Sequence, residues 1–235
     1  MLASNRQFVF EEDASLEEAW NFGINISQRY KIWGKNLNIS ADYYHTNFEN
    51  QYIVDADRDA TSVYFYNLNG KSYSNSYQIE INTQPVKGLD LTMAYRINDV
   101  KTTINGELQQ KPLVSKNKGL VSISYKTPLK KWQFDYTIQL NGGGRLPNMD
   151  GYPVDVQMGM DFPSYTTMNF QLTKLFRKWD LYVGVENLTG FKQHNPIIYP
   201  ENPYNQYFDA SQVWGPITGA KYYAEIGRAS CRERV

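Results

Sequence analysis

From Trp20 onward the chain alternates apolar and polar residues with period two, and this rhythm limits the fold more than any other feature of the sequence. Trp20, Phe22, Ile24, Ile26 and Tyr30 face one way; Asn21, Gly23, Asn25, Ser27, Arg29 and Lys31 face the other. Only Gln28 interrupts the apolar series. Successive side chains of a strand point to opposite faces, so such a segment carries one apolar and one polar face. The pattern returns over residues 37–43, 77–81, 89–97, 121–125, 132–140, 168–172 and 179–185. A ninth segment starts near Ile217 and runs through Tyr222 to Ala224, and Phe8 and Phe10 are expected to end an earlier strand. No segment has a helical period, and no run of about 18 apolar residues offers a membrane helix.

The connections between these segments alternate in length. Tight turns fall at 33–36, 85–88, 127–131 and 177–178, and long polar loops at 49–71, 106–116, 145–164 and 190–215. A soluble β-sandwich scatters loop lengths over both ends. A transmembrane barrel keeps short turns on the periplasmic side and long loops outside. Aromatics gather beside the short turns: Tyr30, Trp33, Tyr125, Trp132, Phe176 and Trp179, where amphipathic rings suit the headgroup level. Asn, Gln, Ser and Thr dominate the polar face, which suits a hydrated lumen better than the Lys/Glu surface of a soluble sheet. The expected fold is all-β, an antiparallel up-and-down meander forming part of a transmembrane β-barrel over residues 1–225. The expected location is the bacterial outer membrane, with lipid against the apolar face.

Composition agrees and excludes other classes. A hydrophobic fraction of 41% is too low for a helical membrane bundle, while 19 Tyr, 11 Phe and 5 Trp fit alternating faces. Equal numbers of basic and acidic residues give no footprint for nucleic acid. The last ten residues, Ile226-Gly-Arg-Ala-Ser-Cys-Arg-Glu-Arg-Val235, lose the alternation and gather three arginines. They read as a translated sequencing adapter, a non-native tail over 226–235 expected to fray from the sheet. With it goes the only cysteine, Cys231, leaving no disulfide or thiol chemistry. The start, Met1-Leu-Ala-Ser-Asn-Arg-Gln-Phe8, lacks the marks of a secretory signal. An exported chain needs one, so its natural N-terminus is expected upstream.

Several stretches resemble the late barrel strands of TonB-dependent receptors of Bacteroidetes type. These are Ala19-Trp-Asn-Phe-Gly-Ile-Asn-Ile26, Ala41-Asp-Tyr-Tyr-His-Thr-Asn-Phe-Glu-Asn-Gln51, Pro85-Val-Lys-Gly-Leu-Asp-Leu91, Lys130-Lys-Trp-Gln-Phe-Asp-Tyr136 and Trp179-Asp-Leu-Tyr-Val-Gly-Val-Glu-Asn-Leu-Thr189. The most specific are Asn195-Pro-Ile-Ile198 and Tyr207-Phe-Asp-Ala-Ser-Gln-Val-Trp-Gly-Pro-Ile217. The resemblance implies a barrel of roughly 22 strands with a plugged lumen, of which this chain supplies about nine. It implies active uptake of a scarce nutrient such as a siderophore, cobalamin or oligosaccharide. It also implies a TonB complex as partner, reached through an N-terminal plug and TonB box that these residues do not include. Two other functions fit the residues alone: a soluble or surface β-sandwich that binds glycans, and a passive porin.

No catalytic constellation is present, no cofactor is implied, and the chain does not read as an enzyme. His45 and His194 stand far apart without metal-ligand spacing. Met158, Met160 and Met168 suggest a copper ligand set, but the first two fall in a loop and the third on an apolar face. Asn38-Ile-Ser and Asn187-Leu-Thr match the glycosylation pattern inside strands, where the match means little. Gly142-Gly-Gly-Arg145 lacks the following Lys-Ser/Thr of a phosphate loop and reads as flexible backbone at a strand's outer end. The candidate ligand contacts are loop aromatics: Tyr152, Tyr165, Tyr199, Tyr204, Tyr207, Phe208 and Trp214. Rings of this kind supply contact area at low entropic cost. The competing reading, ahead of ligand contact, is that they pack one loop on another over the barrel mouth.

Overall fold

The computed structural model describes residues 4–228. Its strands are β1 (Gln7–Phe10), β2 (Glu18–Ile32), β3 (Lys35–Asn50), β4 (Tyr52–Asp55), β5 (Ser62–Asn67), β6 (Ser72–Val86), β7 (Leu89–Ile104) and β8 (Glu107–Gln110). They continue with β9 (Asn117–Lys126), β10 (Trp132–Asn141), β11 (Gly144–Arg145), β12 (Asp161–Phe162), β13 (Tyr165–Leu175), β14 (Trp179–Glu186) and β15 (Lys221–Arg228). Among the described residues the helical content is one 3₁₀ turn, Val154–Val156.

Nine long strands form one antiparallel sheet in the order β15-β14-β13-β10-β9-β7-β6-β3-β2, each bonded to the next long strand along the chain. This is the expected meander. A sandwich would set two sheets face to face, and the long strands lie in one sheet. The register keeps the two faces separate across the ladder: Ile81 meets Met93, Met93 meets Val121, and Ile138 meets Met168. On the other face Gln78 meets Arg96 and Asp135 meets Ser124.

Trp132, Phe134 and Leu140 are exposed, although apolar, because no second layer covers them. On β7 the apolar series runs from Leu89 to Ile97, about 27 Å along the strand at the usual rise per residue. Tilt reduces this to roughly 20 Å, and the aromatic girdles bring it toward the ~25 Å apolar band of a barrel. At the upper limit of the band Tyr43 stacks on Tyr77 at 4.8 Å. Beyond that pair the same face turns polar with His45, Asn75 and Asp99. The Nδ1 of His45 lies 2.7 Å from Asn75 Oδ1. At the lower limit Phe176 stacks on Trp179 at 3.8 Å, and the Lys174 ammonium lies 3.9 Å over the Trp132 ring.

Short and long connections alternate between the nine long strands, and β8 pairs with β7 as a short hairpin within the second long connection. The turn between β2 and β3 is Trp33-Gly34, with φ of 48° and 75°. Two positive φ values are what a two-residue hairpin needs to match strand twist. Gly34 adopts this freely, whereas Trp33 adopts it at some strain and holds its ring 96% exposed beyond the girdle.

Several expectations need correction: the last long strand starts at Lys221 rather than near Ile217, and Asn187-Leu-Thr lies past the end of β14. Phe8 and Phe10 do not end a barrel strand: β1 pairs in parallel with β5, and β5 pairs with β4, in a separate three-stranded sheet on the loop side. Alternation over four residues marks a strand but does not reveal its partner. The glycine run is not loose. A Cβ on Gly142 would lie 2.0 Å from the Asn117 side chain, one on Gly143 2.5 Å from the Phe162 carbonyl, and one on Gly144 2.3 Å from the Val114 carbonyl. Close backbone approach requires these glycines. Finally, the ladder does not stop at residue 225, because Ile226, Gly227 and Arg228 still pair with Leu181, Asp180 and Trp179. Backbone bonds need no particular side chain, so the ladder extends past the end of the alternation. The rest of the tail, Cys231 included, lies outside the described residues.

Candidate functional site

The long loops gather at one end of the sheet and fold over its polar face. Ser72, Thr102 and Ile104 belong to the polar-face series of β6 and β7, yet all are buried. Ser72 Oγ donates to Gln51 Oε1 at 2.7 Å, which ties the first long loop to that face. Further down, the polar face is hollowed by a recess of about 310 Å³ against Gln78, Glu80, Arg96, Lys118 and Gln139. Side chains of this face bond along the ladder: Arg96 Nη2 donates to Gln78 at 2.6 Å and Ser124 to Asp135 at 2.6 Å.

Three charged nodes hold the loops together. In the first, Arg6 reaches Asp209 at 2.9 Å, with side-chain exposures of 1% and 0%. Tyr152 is hydrogen-bonded to Arg6, and its hydroxyl lies 3.4 Å from Asp209 Oδ2. Asp209 also accepts from the Ser211 amide at 2.7 Å, the Ser211 hydroxyl at 2.6 Å and Gln212 Nε2 at 3.0 Å. A buried carboxylate is tolerated only when paired and bonded in this way. Burial pushes the Tyr152 phenol up to about 12, against the lowering pull of Arg6, so the group remains a neutral donor.

In the second node Arg145 meets Asp57 at 2.7 Å, and Asp57 accepts from the Asn148 amide at 2.7 Å. In the third, Arg58 contacts Glu11 at 2.5 Å and Asp55 at 3.5 Å while lying 4.2 Å over the Tyr64 ring. Burial and the neighbouring Asp55 push the Tyr66 phenol up to about 12.

The seven candidate aromatics fall into distinct surroundings. Tyr152 is buried with Ala60, Met149 and Ile198, and Tyr199 and Tyr207 pack against that cluster. Tyr165 stacks on Phe191 at 4.8 Å and its hydroxyl donates to the Trp214 carbonyl at 3.3 Å. Trp214 in turn stacks on Phe162 at 5.4 Å. Phe208 is half-buried, and its carbonyl accepts from the Asn5 amide at 3.0 Å. Tyr204 alone of the seven presents its ring to solvent, 95% exposed.

Beside the second node lies a cleft of about 520 Å³ lined by Asp57, Glu107, Arg145, Asn148, Met158 and Met160. It collects both signs of charge and apolar walls in one place, the usual makeup of a small-molecule site. Met168 lies in β13, apart from the two loop methionines. Among the described residues no group of three His, Cys, Asp or Glu side chains could hold a metal.

Arg6, Asp57, Arg145, Asp209 and Gln212 organise this end of the molecule, and sequence reasoning singled out none of them as site residues. Arg6 and Asp209 are some 200 positions apart, and no local pattern links them. The usable signals were the glycine run before Arg145, which marks a close approach, and the family-like stretch 207–217, which carries Asp209 and Gln212.

The family model described as "TonB dependent receptor-like, beta-barrel" matches residues 12–188. A comparison with curated proteins finds no match. Among solved structures, the FrpB iron transporter of Neisseria meningitidis superposes with a TM-score of 0.61 at 9% identity, over 95% of this chain and 32% of that one. The siderophore receptor PiuA of Acinetobacter baumannii gives 0.53 at 14% identity, over 89% and 28%. The copper transporter OprC gives 0.64 at 9% identity, over 90% and 31%. The chain thus spans about a third of the length of the structures it matches.

Proposed function

Because the chain belongs to the TonB-dependent receptor-like β-barrel family, we propose that it forms the late strands of an outer-membrane receptor for energy-driven uptake of a scarce nutrient. The observation that carries this reading is the pairing of an uncovered apolar face with a loop cap folded over the polar face. That arrangement suits a barrel whose outer mouth selects what enters. The apolar face would meet lipid, and the TonB complex would act through a plug belonging to the whole protein. Siderophore, cobalamin and oligosaccharide are all compatible substrates.

Ligand contact on this reading divides between two groups of aromatics. Tyr152, Tyr165, Tyr199, Tyr207, Phe208 and Trp214 hold the platform, and Tyr204 projects from it toward the ligand. Backbone groups at the two open edges, β2 and β15, would be satisfied by the remaining strands of the barrel, as the bilayer demands.

The test is growth of a gene-deletion strain on each nutrient class as limiting source, with and without a protonophore. Loss of growth on one class, reproduced in the parent by the protonophore, supports active uptake. Uptake that survives the protonophore would overturn it and favour the passive porin.

A further inference from the structure

The short turns carry a positive charge that the fold leaves unbalanced. Residues 126–132 and 174–179 hold six cations, Lys126, Lys130, Lys131, Lys174, Arg177 and Lys178, and no carboxylate. The two stretches lie side by side: Trp132 pairs with Lys174, and the Leu175 amide donates to the Lys131 carbonyl at 2.8 Å. The Lys126 amide donates to the Gly88 carbonyl at 2.7 Å, which brings the turn carrying Lys87 alongside. The ion pairs among the described residues use Arg6, Arg58, Lys101 and Arg145, all toward the loop end. The carboxylates nearest these turns along the chain, Asp90, Asp135 and Asp180, belong to the polar-face series. Asp90 accepts from Gln84 and Asp135 from Ser124. Lys174 lies on the opposite face. The apolar series Met168, Phe170, Leu172 of β13 ends in it, and its register partners are Trp132 and Leu181. It is half-buried, with its ammonium 3.9 Å from the Trp132 ring centre and 5.8 Å from that of Phe176. Ring faces engage only part of an ammonium that has three donors. A lysine at the margin of an apolar band lays its stem along the band and carries its head to the headgroup level.

We propose that this end of the sheet docks the headgroup of an anionic phospholipid, with Lys174 as the central contact to its phosphate and the turn cations around it. Trp132, Phe176 and Trp179 border the site and take the glycerol and upper acyl chain, as interfacial rings do. Each cation held near an anionic leaflet is worth about fivefold in affinity. A zwitterionic lipid offers the same phosphate, but its own ammonium cancels the charge, so the site discriminates by net charge. The inference rests on the reading that the apolar face meets lipid, and it adds which lipid gathers at the turn end.

The test uses the full-length protein, without other reactive cysteines, in phosphatidylcholine bilayers. A bimane label is placed singly at Phe134, near the turn end of β10, or at Leu140, near its loop end, both exposed apolar positions. Each label is quenched by 5-doxyl phosphatidylglycerol or 5-doxyl phosphatidylcholine over a range of mole fractions. At Phe134 the anionic lipid should reach half-quenching at about a tenfold lower mole fraction, whereas at Leu140 the two lipids should act alike. Lys174→Gln should cut the preference about fivefold, and Lys174→Arg should keep it. High salt should weaken the preference, and inorganic phosphate at constant ionic strength should not displace the lipid. Equal quenching by the two lipids at Phe134, a preference that survives Lys174→Gln, or displacement by inorganic phosphate would overturn the proposal while leaving the membrane reading intact. Absence of quenching at both labels by both lipids would refute the membrane reading and the proposal together.

Discussion

Replacing Arg6 by methionine keeps much of the side-chain bulk and removes the cation that pairs with Asp209. The carboxylate would remain fully buried, with Ser211, Gln212 and Tyr152 as donors but without a counter-charge. Breaking a buried pair from one side typically costs about 3–5 kcal/mol. The surviving donors place this case at the lower end, about 3 kcal/mol, which raises the open population of the cap roughly 150-fold. Hydrogen exchange in the full-length protein reads this directly. The amides of Asn5, Ile198 and Asp209, bonded across the cap, should exchange about a hundredfold faster. The β9–β10 ladder should be unaffected, since its bonds are made within the sheet. The double variant Arg6→Met with Asp209→Leu should recover most of the protection, because it leaves no charge buried. Unchanged exchange in the cap would refute the assignment of this pair as its latch, and an equal rise in β10 would refute the separation of cap from sheet.

Three further outcomes follow from particular contacts. Gly144→Ala should cost about 1–3 kcal/mol, because the new methyl meets the Val114 carbonyl and the Phe162 ring, and thermal unfolding of the cap reports it. Ile79→Arg, on the apolar face of β6, should cost about 2–4 kcal/mol in refolding into bilayers, whereas Thr137→Arg on the polar face of β10 should cost far less. The Tyr152 phenol is raised to about 12 in the fold, so its contribution to cap stability is complete below the unfolded value near 10 and is lost as pH rises from about 10 through 12. Protease susceptibility of the cap should climb across that window, and Tyr152→Phe should weaken the dependence, leaving the part due to Tyr66.

The sheet was legible because its information is local. One apolar residue in two, repeated over 132–140, fixes which way each side chain points, and a turn such as Trp33-Gly34 fixes which strand comes next. The order and register of the meander then follow. The cap was not legible, since its contacts join residues far apart in the chain and its strands are too short to announce a partner. Arg6 looks like any basic residue near a terminus until β1 lies beside β5 and brings it to Asp209. Tyr152 and Trp214 were identified as loop aromatics, but sequence alone could not separate a ring held in a stack from one offered to a ligand. Tyr204 shows the difference, and only packing reveals it. Gly142 to Gly144 carried a readable signal in their small size, which here means closeness rather than freedom.

The central claim is that the two faces of one strand meet two different solvents. Spin labels placed singly from Gln133 to Leu140 of β10 in the full-length protein in bilayers test it, with relaxation by oxygen reporting lipid and by a water-soluble nickel chelate reporting water. Labels at Phe134, Tyr136 and Ile138 should favour oxygen, and labels at Gln133, Asp135 and Thr137 should favour the chelate, alternating residue by residue. A flat profile, or water access at Phe134, Tyr136 and Ile138, would contradict the membrane-spanning barrel.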